Sequence, residues 1–187
     1  MDPMTTGQHP LRLTPLPAGD WTEHIRDALA SLILPERANP DGAGNVLSTL
    51  VRHPGLTAAY LPFNAYLLRK STLPSRIIEV AVLRTVARRN CDYLWSHHLP
   101  LAGRAGLSTE DVDAINSGQC ADPADQLIVQ AVDELLDDST ISDPTWNQLG
   151  QTLSDEQRMD LVFTIGGYLL LALAVNTFGV QNETSHA

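Results

Sequence analysis

Between Glu79 and His98 the chain reads Glu-Val-Ala-Val-Leu-Arg-Thr-Val-Ala-Arg-Arg-Asn-Cys-Asp-Tyr-Leu-Trp-Ser-His-His. The Glu79 carboxylate, a thiol and two imidazoles thus fall within one helix-prone stretch. An imidazole titrates near neutral pH and can move a proton in either direction. Cys91, Trp95 and His98 recur at i, i+4 and i+7, so they share one face of a helix, with His97 one residue off that face. If Glu79 lies on the preceding helix and the two form a hairpin, the carboxylate reaches the Cys91/His98 side. The result is a carboxylate–imidazole pair with a thiol beside it, a proton-handling site.

Each of these residues also has a plainer structural reading. Glu79 has apolar neighbours on both sides and is expected to be at least partly buried, where a carboxylate needs a partner. Arg76 at i−3, or an arginine from another helix, would serve structurally; His98 would serve chemically. His98 by itself reads first as a core histidine bonded to a backbone carbonyl. Cys91 at the first turn of a helix would feel the positive end of the dipole, which lowers a thiol pKa; the alternative is a small buried hydrophobe. Trp95 shares the His98 face and fits a pocket wall or the core, and His97 fits an interface, the surface or a pocket lining. Neighbouring histidines on a helix point about 100° apart and do not chelate together, so no metal site is expected. The loop Asp41-Gly-Ala-Gly has no phosphate-loop pattern.

The spacing Glu79-x11-Cys91-x2-Leu94-x3-His98 resembles the carboxymuconolactone decarboxylase and alkyl hydroperoxidase D-like family. The peroxidase branch of that family carries Glu-x11-Cys-x2-Cys-x3-His. The decarboxylase branch carries Tyr-x-Trp-x-x-His, which here runs from Tyr93 to His98. The following Leu-Ala-Gly-Arg-Ala-Gly-Leu-Ser is also similar to the family. The likeness spans roughly Asn45 to Val180 and is most specific over 74–112. It implies an all-α helical bundle built around a helix hairpin and assembled as a homo-oligomer, a trimer or a hexamer. It also implies His98, Glu79 and Cys91 as catalytic residues and Trp95, Tyr93 and His97 as pocket residues, with no cofactor.

The leading expectation is acid/base chemistry on a small lactone or carboxylate substrate, lactone decarboxylation being the family's named case. One alternative is a thiol-dependent alkyl hydroperoxidase working through Cys91 alone. Leu94 stands where the peroxidase branch has its second cysteine, so a dithiol–disulfide cycle cannot close there. Cys120 lies beyond the next helix, and nothing in the sequence makes it a resolving partner. Another alternative is a non-enzymatic oligomer that binds a small molecule.

Composition agrees with helices. In 187 residues, aromatics make up 5% while Ala and Leu abound. The net charge of −10 without basic clusters argues against nucleic acid or an anionic membrane as partner. Two cysteines give no disulfide framework, and no basic-then-apolar leader opens the chain, so a cytoplasmic setting is expected. Leu161 to Val180 carries no charge and has the length of a membrane span, but its three glycines, its Asn and its Thr residues favour a buried helix facing a partner subunit.

Elements must position these groups, and cap signals place them. Residues 1–44 read as a proline-rich arm with one helix, Trp21 to about Leu34 capped by Asp20, followed by a loop over 35–44; the arm's length suits wrapping a neighbouring subunit. Residues 45–187 read as the family-like helical domain. Short helices cover 45–52 and 56–70, the latter kinked or broken at Pro62. Pro74 opens the Glu79 helix, Asn90 breaks it, and Gly106 ends the next. Ser108, Asp122-Pro123, Asp143-Pro144 and Ser154 open further helices, with Gly166-Gly167 a point of division in the last and a frayed tail from Gln181.

Overall fold

The computed structural model describes residues 9–183, and every regular element among them is helical. In order these are α1 (Glu23–Asp27), α2 (Pro40–Leu50), α3 (Pro54–Arg69), α4 (Ser75–Arg88), α5 (Asp92–Arg104), α6 (Thr109–Ser117), α7 (Pro123–Asp138), α8 (Asp143–Leu149) and α9 (Asp155–Phe178). The contacts fall into two units: Ser71–Leu173, and the residues up to Lys70 together with those from Ala174. Neither unit begins at the expected boundary after Gly44.

In the Ser71–Leu173 unit α4 is the central element. It buries every residue from Glu79 to Val86, because α5, α6 and α7 all pack on it. Its four consecutive apolar residues, Val80 to Leu83, are all buried, so no side of that stretch faces solvent. Val80, Leu83, Ile115, Val129, Leu149 and Leu161 lie at the heart of the core it shares with its neighbours.

The cap chemistry is largely as predicted. Ser108 and Asp111 exchange hydrogen bonds in a capping box, Asp122 accepts from the amides of Ala124 and Asp125, and Ser154 and Gln157 cap each other reciprocally. Asn90 takes a left-handed conformation at φ 49°, which turns the chain sharply from α4 into α5. The helix signalled by Asp143-Pro144 has Ser142 at its N-cap position, without a side-chain cap bond, and ends at Leu149.

The polar side of α4 is bolted down by arginines. Arg76 donates to Asp125 at 3.1 and 2.6 Å and to Asp111 at 3.3 Å. Arg84, only 7% exposed, donates to both oxygens of Asp133 and to the carbonyls of Ile115 and Asn116. Arg88 bridges Asp133 and Asp137. At the other end of the unit, Asp160 at the start of α9 accepts from the Thr72 amide at 2.6 Å and from the hydroxyls of Thr72 and Ser71. These bonds tie the beginning of α9 to the segment leading into α4.

The other unit departs further from expectation. The helix predicted from Trp21 to Leu34 is a single short turn of α-helix, Glu23–Asp27, between 3-10 turns, and Thr22 rather than Asp20 stands at its N-cap position, with no side-chain cap bond. Part of the predicted 35–44 loop is helical: Asn39 caps a turn beginning at Pro40, and Gly44 at φ 71° breaks it before the helix resumes. Pro62 sits within an uninterrupted α3, which opens two residues early with Pro54 in its first turn. From residue 9 on, the arm is hydrogen-bonded to its own chain. The Arg12 and Leu13 amides donate to the Phe178 carbonyl, Leu16 donates to Ser48, and Arg52 donates to Thr14. Residues 181–183 are tied down too, Gln181 to the His9 carbonyl and Glu183 to the Asn45 amide, so the expected fraying does not hold for them; residues 184–187, like 1–8, lie outside the described residues.

α9 runs unbroken through Gly166-Gly167. Among the described residues it is the one helix long and apolar enough to cross a membrane. The expected buried helix is half right. Leu161, Ile165, Tyr168 and Ala172 are buried, while Met159, Phe163, Leu170 and Leu173 stand exposed on the opposite side.

Candidate active site

Every residue of the candidate site belongs to the Ser71–Leu173 unit. Glu79 sits one turn into α4, at the start of its buried run, and is 8% exposed; His98 sits in the middle of α5 and is 6% exposed. The Asn90 turn folds α5 back against α4. This brings Glu79 Oε2 to 2.9 Å from His98 Nδ1 across nineteen residues of sequence. With the carboxylate ionised, Nδ1 carries the hydrogen and donates it, which turns Nε2 to the side away from this bond.

The plainer partner for Glu79 was Arg76, and its guanidinium is fully engaged elsewhere, with Asp125, Asp111 and the Gly106 carbonyl. Glu79 is thereby left to the imidazole. Tyr168 of α9 completes the enclosure. Its ring meets the His98 ring edge-on, with centroids 5.0 Å apart and planes at 86°. This edge-on contact packs an aromatic ring against the imidazole. Sequence reasoning missed Tyr168, which lies in the uncharged 161–180 stretch with no spacing relation to the motif.

Cys91 is the N-cap residue of α5 and 1% exposed. The expectation of a reactive thiol is reversed. Burial pushes it up to about 11, the charge of Asp92 adds to that, and a hydrogen bond from the Leu94 backbone only partly offsets both. The helix dipole does not compensate for the missing water. Cys120, half-buried, is also raised, first by burial.

The predicted pocket residues divide. Trp95 is half-buried and packs against the main core, as the bland reading allowed. Tyr93 is buried at 8% exposure, and its ring stacks on His97 with centroids 4.1 Å apart. His97 is exposed, and its Nδ1 lies 2.7 Å from the Tyr93 carbonyl, to which it donates. Tyr93 and His97 thus meet through both their rings and the Tyr93 carbonyl. Among the described residues, no three His, Cys, Asp or Glu side chains gather as a metal-holding set.

This arrangement can hold a proton on Nε2, deliver it and take it back, in surroundings from which water is largely excluded. Comparison with known proteins gives it a context. The sequence profile of the Carboxymuconolactone decarboxylase family matches residues 54–136, a range that contains Glu79, Cys91 and His98. No curated protein sequence matches the chain. Among solved structures, the chain resembles a protein of unknown function from Agrobacterium tumefaciens linked by name to the antioxidant defence protein AhpD. That match has a TM-score of 0.62 and 20% identity, over 72% of this chain and 94% of the other. It also resembles the debrominase Bmp8 in its apo form, with a TM-score of 0.64 and 18% identity over 92% of each chain. At these identities the two likenesses establish a shared fold.

Proposed function

We propose that this chain, which over residues 54–136 belongs to the carboxymuconolactone decarboxylase family, is an enzyme using Glu79 and His98 for acid/base chemistry on a small lactone or carboxylate compound. The observation that carries the reading is the buried 2.9 Å contact between Glu79 and His98, with the nearest arginine diverted to Asp125. A buried ionisable pair is costly to maintain for packing alone, and such pairs concentrate at functional sites.

In the decarboxylation version of this chemistry, the bond between the substrate's carboxylate and its neighbouring carbon breaks. Carbon dioxide leaves, and the electron pair passes into a conjugated carbonyl. The doubly protonated His98 then gives its Nε2 proton to the carbon that lost the carboxylate. Neutral imidazole remains and takes a proton back from solvent. Throughout, Glu79 holds Nδ1–H, keeps the ring oriented and balances its positive charge. Tyr168 blocks rotation of the ring and shields the site from water.

The two structural relatives are described in unlike chemical terms, one linked to antioxidant defence and one a debrominase, so the fold does not choose the reaction. A thiol peroxidase working through Cys91 is supported less well, because a thiol pushed up to about 11 is almost wholly protonated near neutral pH. The test is decarboxylation of small unsaturated lactone carboxylates in deuterated water. The expected product carries deuterium at the carbon that lost the carboxylate, and the His98→Gln variant forms none. Turnover that survives in His98→Gln rejects the assignment, as does substrate binding without turnover that is unchanged in both Glu79→Gln and His98→Gln.

A further inference from the structure

On α3, Pro62, Ala65, Tyr66 and Arg69 recur at i, i+3, i+4 and i+7, so they share one stripe of the helix. That stripe, together with Ser31 and Lys70, lines an open cleft of about 260 Å³. The lining is mainly apolar, and its two cations sit together at the end where α3 stops. From Pro62 to Arg69 the stripe spans roughly 10 Å along the helix axis. We propose that this cleft binds a small amphipathic monocarboxylate, its apolar body along Pro62, Ala65 and Tyr66 and its carboxylate held by Arg69 and Lys70.

Charge, donors and shape each point to that class of ligand. Neither Arg69 nor Lys70 forms an ion pair among the described residues, in a chain with 22 acidic residues against 12 basic ones. With carboxylates so plentiful, two adjacent cations beside a cleft suit one that the chain does not itself supply. Compensation of the α3 dipole is the plainer role for Arg69. Its guanidinium instead reaches across to the preceding loop and donates to the carbonyls of Ser31, at 3.4 Å, and Leu32. These neutral partners fix the fork beside the cleft without cancelling its charge, and they leave further N–H donors for a carboxylate. Ser31 adds a buried hydroxyl without a hydrogen-bond partner. An orphaned hydroxyl costs free energy, and by turning about χ1 this one can donate to a carboxylate held against the same wall. Size sets the rest of the ligand. The volume falls just below the roughly 300 Å³ at which sites for drug-sized ligands begin, which suits a single ring or a short chain. Ala65 keeps the middle of the stripe low, while Pro62 and the Tyr66 ring offer apolar surface that a bare inorganic anion would leave unused. All the lining residues belong to the unit that holds the residues up to Lys70, whereas Glu79 and His98 belong to Ser71–Leu173. The inference therefore does not depend on the chemistry proposed for that pair.

Lys70 is the only lysine of the chain, which makes it a built-in reporter. Reductive methylation with carbon-13 formaldehyde keeps its charge and gives a side-chain NMR signal that Lys70→Arg identifies by its loss. Titration of the full chain with 4-phenylbutyrate is expected to shift that signal saturably, at concentrations where 4-phenylbutanol and inorganic phosphate do not. Arg69→Gln is expected to weaken the affinity about tenfold or more, the usual weight of a charge-assisted hydrogen bond. Ala65→Phe fills the cleft and spares the bonds from Arg69 to the loop, and it is expected to abolish the shift with an unchanged circular dichroism spectrum. A Lys70 signal that 4-phenylbutyrate leaves in place overturns the proposal. So does a saturable shift that keeps its native affinity in either variant. A shift that inorganic phosphate reproduces at the same concentration overturns it in favour of a general anion site.

Discussion

With Nδ1 given to Glu79, the chemistry of His98 falls to Nε2, and substitutions at the two positions should fail differently. Glu79→Gln keeps the side-chain shape but removes the charge and offers an amide that can present the wrong hydrogen-bonding group to the ring. Its kcat is expected to fall roughly a hundredfold to ten-thousandfold, with the helical circular dichroism retained. Tyr168→Leu removes the edge-on ring but no proton carrier, so a smaller loss of kcat is expected, in a variant that still binds the inhibitor or product of the native enzyme. Cys91 makes the opposite case. In a Cys120→Ser chain, iodoacetamide at pH 7 should modify Cys91 at roughly a hundredth of the rate of a free thiol, because burial places its pKa at about 11. Rapid alkylation near neutral pH would show that the thiol is far more exposed than the fold makes it. At this scale the sequence was readable where spacing is local. The i, i+4, i+7 pattern placed Cys91 and His98 on one helix, and the hairpin joined Glu79 to His98. It was unreadable where burial decides: the dipole argument for Cys91 was sound as far as it went, but desolvation outweighed it.

Among the elements, α4 does the positioning, and its arginines keep it in register with α6 and α7. Asp133 accepts from both Arg84 and Arg88, so Asp133→Ala leaves the buried Arg84 without its carboxylate. A destabilisation of roughly 2–3 kcal/mol is expected in urea unfolding, below the value for a fully buried pair because Asp133 is 28% exposed. Gly118 closes on the same guanidinium. It sits at φ 82°, and a Cβ there would stand 2.7 Å from Arg84 Nη2, so Gly118→Ala should cost about 1–2 kcal/mol through strain and crowding together. Asp111 contributes a pH dependence. The Ser108 backbone N–H, followed by Arg76, holds its carboxyl below the ordinary 3.8, so the folded chain binds this proton less readily than the unfolded chain. Its stabilising effect is complete above the unfolded value and is lost as pH falls through the lower folded one. An Asp111→Asn variant should therefore lose the part of the acid-limb slope that lies below about pH 4. Caps such as Ser108 and Ser154 were legible because each is a short-range hydrogen-bond rule. The partners of Arg76 and Arg84 were not, since the Arg–Asp pairings cross 49 residues and no local pattern reports them.

For the whole molecule, the sequence conveyed an all-helical chain and the location of its motif hairpin more readily than it conveyed the way the chain closes on itself. The arm is an example: its prolines signalled an extended segment, but that segment pairs with Phe178 of its own chain, a contact only the assembled fold reveals. Gly179 shows how close that approach is, since a Cβ there would meet the Pro10 carbonyl at 2.0 Å. The uncharged stretch in α9 likewise resolved into two faces, one meeting His98 through Tyr168 and the other exposing Met159, Phe163, Leu170 and Leu173.

The most direct test of the acid/base assignment is carbon dioxide release from a panel of small unsaturated lactone carboxylates, measured side by side for the native chain, Cys91→Ser and His98→Gln. Release by the native chain and by Cys91→Ser at comparable rates, with His98→Gln at the uncatalysed background, is the expected result. Release retained by His98→Gln, or abolished in Cys91→Ser while the native chain consumes hydroperoxide with an added thiol, would contradict it and move the chemistry from the imidazole to the thiol.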